Sequence, residues 1–518
     1  MTWSHFQQHF LVLPSLDMAL DTSKIPFTPA FFDDMRTKIT SALEEMATSE
    51  AGAIANPDEG RMVGHYWLRN ETLAPTEAIH NELRDNKRKR ENFVERVLSG
   101  TIGKTFKNLL CIGIGGSALG SQLLSDALGV NRNGLQPFFI DNTDPDGIRR
   151  VLLCLESELP QTLVIVTSKS GSTPEPRNGL AEVRAVFKEH RLPFAPQAIA
   201  VTCEGSTLDR LAAEEQWLAR FPMWDWVGGR TSLFSNVGLL PAALQGISTE
   251  HLLQGAAEMD KSTRGTDVFR NPALMLALSW YACTDGHGKR NMVVLPYKDA
   301  LVLFPKYLQQ LVMESLGKNL DLDGNIVHQG LTVYGNKGST DQHAYVQQLR
   351  DGLNDAFVTF IEVQTPTKPS SVEVEPGLTS GDFLEGFLLG TRSALSDVQR
   401  PSITITLKTL NERSFGALVA LFERAVGFYA SFIHVNAYHQ PGVEAGKKAA
   451  KRYLELQKSL LAYLSEHRNK TFTVETLANI LHIEKIEDVL KILEYLAANG
   501  RIVRHTASSL TQSTYGLK

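Results

Sequence analysis

Leu109-Leu110-Cys111-Ile112-Gly113-Ile114-Gly115-Gly116-Ser117-Ala118-Leu119-Gly120 reads as a short apolar strand, a glycine turn and the opening of a helix. A helix N-terminus reached through glycines presents free backbone amides, and these hold anions. Gly113, Gly115 and Ala118 also satisfy the loose G-x-G-x-x-G/A pattern of dinucleotide sites, with Asp141 placed where a ribose-binding acid would end the next strand. This stretch alone therefore sets an α/β class and a phosphate-bearing ligand, and it leaves a nicotinamide dinucleotide enzyme open.

The same rhythm continues outward from it. Apolar runs at Leu109 to Ile112, Pro137 to Ile140, Leu163 to Val166 and Ala198 to Val201 alternate with amphipathic stretches, the signature of βαβ units and a doubly wound parallel sheet. After a dense turn region beyond Phe221 the rhythm restarts at Met292 to Leu295, Phe357 to Val363 and Ile403 to Leu407, which predicts a second parallel α/β sheet. Gln364 to Pro369 reads as a loop and Ser370 to Pro376 as a return to β character within an insertion. Helices over Leu456 to Leu464, Val474 to Leu481 and Ile486 to Ala498, closed by Asn499-Gly500, predict a winged-helix-like tail. The expected division is 1–100, a mostly helical N-terminal segment; 101–280 and 281–450, two α/β domains; and 451–518, the tail.

A second turn narrows the ligand. Val164-Ile165-Val166-Thr167 leads into Ser168-Lys169-Ser170-Gly171-Ser172-Thr173 and then Pro174-Glu175, so hydroxyls, an ammonium and free amides converge at a strand's carboxyl end before a proline-started helix. A dinucleotide uses one pyrophosphate turn and a long groove. Two hydroxyl-bearing turns suit one phosphate monoester held by one end.

Composition fits a folded chain of 518 residues, with 43% hydrophobic and 21% charged residues. The net charge of -5 supplies no drive toward nucleic acid or anionic membrane, so neither partner is expected. Cys111, Cys154, Cys203 and Cys283 form no Cys-x-x-Cys pair, which argues for a reducing compartment and against a cysteine zinc site. No basic leader precedes an apolar core and no run approaches a spanning length, so a cytoplasmic protein is expected. His434 and His439 stand five apart rather than four, and no pair has metal-ligand spacing.

Four segments gather polar groups beside apolar elements: Gly228-Gly229-Arg230-Thr231-Ser232, Gln310 to Lys318, Asp341-Gln342-His343, and Asn436 to Lys447. Taken alone, Glu314 with Lys318 four residues on reads as a solvent-exposed ion pair. Taken alone, His343 reads as an ordinary capped histidine. Lys447 falls one turn inside a helix started by Pro441.

Together these stretches resemble the phosphoglucose isomerase family of tandem sugar isomerase (SIS) domains, in the family's order and across Asn108 to Lys448. The resemblance implies that Gly116, Ser117, Ser168, Lys169, Ser170 and Thr173 bind the sugar phosphate and that Gln310 and Gln440 contact substrate. It implies Glu314 as the base, Arg230 as the group that stabilises the enediolate, and His343 and Lys447 as aids to ring opening. It further implies no cofactor and no metal, and a homodimer in which His343 acts across the interface. Two positions depart from the family's usual wording: Thr231 follows the arginine where an aromatic is common, and His439-Gln440-Pro441 replaces Asp-Gln-Trp.

Such a set fits aldose–ketose isomerisation of glucose 6-phosphate and fructose 6-phosphate. One carboxylate can remove an α-proton and return it to the neighbouring carbon through a cis-enediol, while a guanidinium stays charged at any working pH. A sugar-phosphate sensor built from SIS domains and a winged helix would not need Glu314, His343, Arg230 and Lys447 together. A bifunctional enzyme acting also on mannose 6-phosphate differs only in pocket shape.

Overall fold

The computed structural model describes residues 2–129, 133–368, 372–507, 509 and 512–517, without the side chains of 443–445. The chain divides into two compact units, Met1–His439 and Gln440–Lys518, so the expected boundary after residue 450 falls earlier, at the start of a helix.

The first sheet of the larger unit has the order Gln136–Ile140, Asn108–Ile112, Thr162–Thr167, Ala198–Thr202, Ala219–Pro222, all parallel. Its inner strands are buried from end to end, as parallel strands covered on both faces must be. Alternate side chains serve the two faces. Leu110, Ile112, Val164 and Val166 pack with helices Pro145–Leu155, Pro174–Glu189 and Thr207–Glu214. Leu109, Cys111, Leu163 and Ile165 pack with Glu77–Leu98 and Asn236–Leu244. Asn108–Ile112 lies between the strand that follows it and the strand after that, so the winding reverses at its carboxyl end and opens a crevice there.

The second sheet has the order Phe10–Leu13, Met18–Asp21, Ser402–Thr409, Ala356–Thr365, Asn291–Pro296, Val333–Tyr334. The last four strands run parallel, but Met18–Asp21 pairs antiparallel with Ser402–Thr409 and with Phe10–Leu13. This corrects one expectation: the second sheet is mixed. Residues 1–100, expected as a mostly helical segment, also contribute a hairpin that extends the second sheet, and their helix Glu77–Leu98 covers the first. The hairpin's strands are only four residues each, too short to stand out beside the long helices. The stretch after Thr365 holds a small hairpin, Glu373–Glu375 with Leu378–Thr379, while Pro369 to Ser371 lie outside the described residues.

Helix Glu412–Phe432 is long and apolar enough to cross a membrane, with a mean hydropathy of 1.3, yet 89% of that window is buried inside the fold. Its charges are paired in the core: Arg69 bridges Glu423 and, at 2.5 Å, Asp260, and Arg424 pairs with Glu50. Among the described residues no other helix passes that test of length and composition.

The second unit has helices Pro441–Glu466, Val474–Ile480 and Ile486–Ala498 and an antiparallel sheet in the order Phe472–Thr473, Thr514–Gly516, Val503–His505. Leu460, Leu464, Leu477, Leu493, Leu496 and Tyr515 form its own core. The three expected helices are present, the first much longer than its apolar run suggested.

Candidate active site

The glycine turn at the crevice is built for close approach. Gly115 has φ +55°, open to glycine at no steric cost, and a Cβ on Gly116 would lie 2.2 Å from the carbonyl oxygen of Gly229. The turn Gly115–Ser117 and the turn Gly229–Thr231 therefore sit backbone to backbone, fastened by the Ser232 hydroxyl, which donates to the Gly116 carbonyl at 2.9 Å. Ser117 is half-buried at the foot of helix Leu119–Leu128. Asp141, the acid a dinucleotide would require, accepts a hydrogen bond from Gln122.

Ser168 to Thr173 follow the neighbouring strand at the same edge of the sheet. Ser168 is buried and its hydroxyl accepts from the Gly171 amide at 3.1 Å, which shapes the turn. Ser170 and Ser172 hydrogen bond to each other at 2.9 Å. Thr173 occupies the N-cap of Pro174–Glu189 without capping it, so its hydroxyl does not serve the helix. Lys169 points across the crevice instead. Its amine donates to the carbonyls of Asp225 and Val227 at 3.0 and 3.2 Å, bracing the loop that delivers Arg230, and burial lowers its pKa.

The proton-transfer candidates meet on an irregular helix. Phe304–Leu308 is α-helical and Gln309–Glu314 is a π-turn, a widened form frequent at functional sites. Gln310 reaches the glycine turn, its amide nitrogen 3.3 Å from where a Cβ on Gly115 would stand. Glu314 Oε1 lies 3.9 Å from Arg230 Nε, buried and accepting no hydrogen bond. Arg230 is itself buried. Nη1 donates to the Ala437 carbonyl at 2.6 Å and to Ser315 Oγ at 3.3 Å, and Nη2 donates to the His439 carbonyl at 3.2 Å. Burial lowers its pKa from the ordinary 12.5, and Glu314 raises it in opposition.

Lys318 corrects the reading of an exposed pair with Glu314. It is buried, and its amine donates to the backbone carbonyl of Glu314 at 2.8 Å and to that of His439 at 3.2 Å. Burial, reinforced by Arg230, brings its pKa down to about 8. Sequence reasoning missed it as a site residue because lysine is almost never fully buried. Tyr307 was missed as well. Its hydroxyl donates to the Arg230 carbonyl or to Glu423, linking the site to the buried ion pairs.

Of the remaining candidates, His343 is not brought to this cluster. His343 ends the turn Thr340–His343 with an exposed side chain, and it is absent from the hydrogen bonds and ion pairs described for Arg230 and Glu314. Gln440 and Lys447 belong to the second unit, at the N-cap and in the second turn of Pro441–Glu466. Among the described residues no group of three or more His, Cys, Asp or Glu is arranged around a metal position.

A doubly wound sheet whose switch point carries a glycine turn and a hydroxyl-rich turn, beside a half-buried carboxylate and a buried guanidinium, defines an α/β protein with a polar site at the carboxyl ends of its strands. The Phosphoglucose isomerase family model matches residues 34–382 and 390–474, and the chain belongs to that family. It is 53% identical to the glucose-6-phosphate isomerase of Nostoc punctiforme, over 99% of this chain and 98% of the relative. It is 54% identical to that of Geotalea daltonii, over 96% and 95%. The crystal structure of a glucose-6-phosphate isomerase from Chlamydia trachomatis aligns with a TM-score of 0.80 at 25% identity, covering 88% of this chain and 92% of that one.

Proposed function

We infer that this chain is an isomerase that interconverts glucose 6-phosphate and fructose 6-phosphate, a step of sugar-phosphate metabolism in glycolysis and gluconeogenesis. Membership of the family, with more than half of all residues identical across nearly the whole length of curated isomerases, supports the activity. The observation that carries the chemistry is the unpartnered, buried carboxylate oxygen of Glu314 facing Arg230. A base must keep one oxygen available for the substrate's proton, and a developing enediolate needs a fixed cation beside it.

In this reading the amides of Gly116 and Ser117 and the hydroxyls of Ser168, Ser170 and Thr173 hold the phosphate, with Lys169 bracing the crevice wall. Binding at that remote end positions the open sugar chain at the reacting carbons. Glu314 takes the proton from one carbon and returns it to the next. Arg230 balances the enediolate charge, and Gln310 and Gln440 orient hydroxyls. His343 and Lys447 assist ring opening, His343 from the partner subunit of a homodimer; its exposed position, apart from Glu314, supports that assignment. No cofactor is required by this scheme, and a cytoplasmic location fits its soluble substrates. We read the two sheets as two SIS domains, and the three helices with a three-stranded antiparallel sheet as a winged-helix-like module.

The test is a coupled assay of glucose 6-phosphate formed from fructose 6-phosphate by the purified chain. Turnover is the expected result. No turnover by folded protein, at any concentration that permits dimers, overturns the reading.

A further inference from the structure

We propose that Lys318 is a positioning residue for the proton transfer: it ties the carbonyl of Glu314 to that of His439 and so fixes the base against Arg230. The proposal rests on the reading of Glu314 as the base.

An oxygen that must accept the substrate's proton cannot also be held by a hydrogen bond, and Glu314 Oε1 has none. The main chain that carries it then has a part in its orientation. That chain ends abruptly here: the Gly317 amide takes the Met313 carbonyl at 2.8 Å, and the next carbonyl, that of Glu314, is left without a helical amide. Lys318 supplies the missing donor at 2.8 Å.

The same amine reaches the His439 carbonyl at 3.2 Å, which also receives Arg230 Nη2 at 3.2 Å. Glu314, Arg230, the His439 carbonyl and Lys318 thus form a closed ring, in which the two cations share one acceptor and the carboxylate faces Arg230. The stretch Asn436 to His439 is held wholly by side chains: His439 Nδ1 on the Asn436 carbonyl, Arg230 on Ala437, Asn56 on Tyr438, and Arg230 and Lys318 on His439. A buried lysine with no carboxylate in hydrogen-bond contact is costly, and a structural tie alone would be served as well by a neutral donor. Its charge strengthens both hydrogen bonds and adds positive potential next to the forming enediolate.

The charged and titratable groups facing Lys318 are Arg230, the Glu314 carboxylate, Asp58 from the turn Pro57–Glu59, and the His439 ring, 3.7 Å from Asp58. His439 is lowered below 6.5 by burial, so it is neutral through the alkaline range and does not compete with Lys318 there. Loss of the Lys318 proton near pH 8 weakens both bonds.

The experiment measures kcat and KM from pH 6 to 10 for the wild type, Lys318→Met, Lys318→Arg and, in parallel, Glu314→Gln. In the wild type kcat should fall on an alkaline limb near pH 8. Lys318→Met should lower kcat at pH 7.5 by about 10- to 100-fold with KM changed less than about threefold, because a misplaced base costs turnover rather than phosphate binding. Its alkaline limb should vanish. Lys318→Arg should recover part of kcat and carry the limb beyond pH 10. A folded Lys318→Met with kcat within threefold of wild type, or with the same alkaline limb, overturns the proposal. If Lys318→Met does not fold, an unchanged limb in Lys318→Arg overturns it instead. Glu314→Gln separates the two claims: its retention of activity removes the base assignment, whereas an inactive Glu314→Gln beside an unaffected Lys318→Met removes only the role of Lys318.

Discussion

Replacing Arg230 by lysine keeps the charge and removes the fork. The guanidinium donates to three acceptors on two segments, Ser315 Oγ and the carbonyls of Ala437 and His439, while its Nε faces Glu314 at 3.9 Å. A single ammonium on a shorter stem can serve about one of those acceptors. Two hydrogen bonds from a charged donor, at about 1.5 to 3 kcal/mol each, are lost, and relaxation of the loop recovers part, so stability should drop by about 3 kcal/mol. Removing an aimed donor from a developing oxyanion costs about 10²- to 10³-fold in kcat, or about 2.7 to 4 kcal/mol of barrier. The phosphate turns are untouched, so KM should stay within about threefold. Steady-state kinetics in both directions, with urea unfolding of the same preparations, separates the two effects. A folded Arg230→Lys with kcat within threefold of wild type would refute the assignment, leaving Arg230 as a tether for the Ala437 to His439 chain.

Glu314→Gln should lower kcat by about 10²- to 10⁴-fold, the usual contribution of a positioned base, with folding intact; activity within tenfold of wild type sinks the assignment. In D2O the wild type should incorporate partial solvent label, since a carboxylate-held proton exchanges before return, and complete absence of label over many turnovers would point to a hydride shift. Ser168→Ala with Thr173→Ala should weaken substrate binding and inorganic phosphate inhibition together, by about 1.5 to 3 kcal/mol per lost bond to the charged ligand. Because Ser168 also accepts from Gly171, unfolding curves must accompany that measurement, and unchanged phosphate inhibition would move the site elsewhere. Inactive Glu314→Gln and His343→Ala chains, refolded together in equal amounts, should regain roughly a quarter of wild-type activity, because half the closed dimers are mixed and each mixed dimer holds one intact site. Mixed dimers verified by differential tags but lacking activity would exclude His343 from acting in trans.

Much of the site was legible because strands and turns write themselves locally. Leu109 to Ile112 followed by Gly113 to Ala118 needs no distant partner to be read as strand, tight turn and helix start, whereas its position at the winding reversal is set by the strand order of the folded sheet. Thr173 was flagged from its neighbours alone, and only the backbone showed that it leaves its helix uncapped. The N-terminal hairpin was missed because its strands are short and Met18–Asp21 joins the sheet only by pairing with Ser402–Thr409, nearly four hundred residues away, with Phe10–Leu13 pairing in turn with Met18–Asp21.

The sequence by itself determined the α/β class, the glycine and hydroxyl-rich turns at the strand ends and, through resemblance, the family. Tertiary structure decided what those residues face. Lys318 looked like a solvated partner for Glu314 because the i, i+4 spacing is all that a helix pattern records. It became a buried tie because helix end, arginine loop and the Ala437 to His439 chain converge on it from three distant stretches. Burial, and the pKa shifts that follow from it, are properties of what surrounds a side chain, and only the folded packing specifies those surroundings.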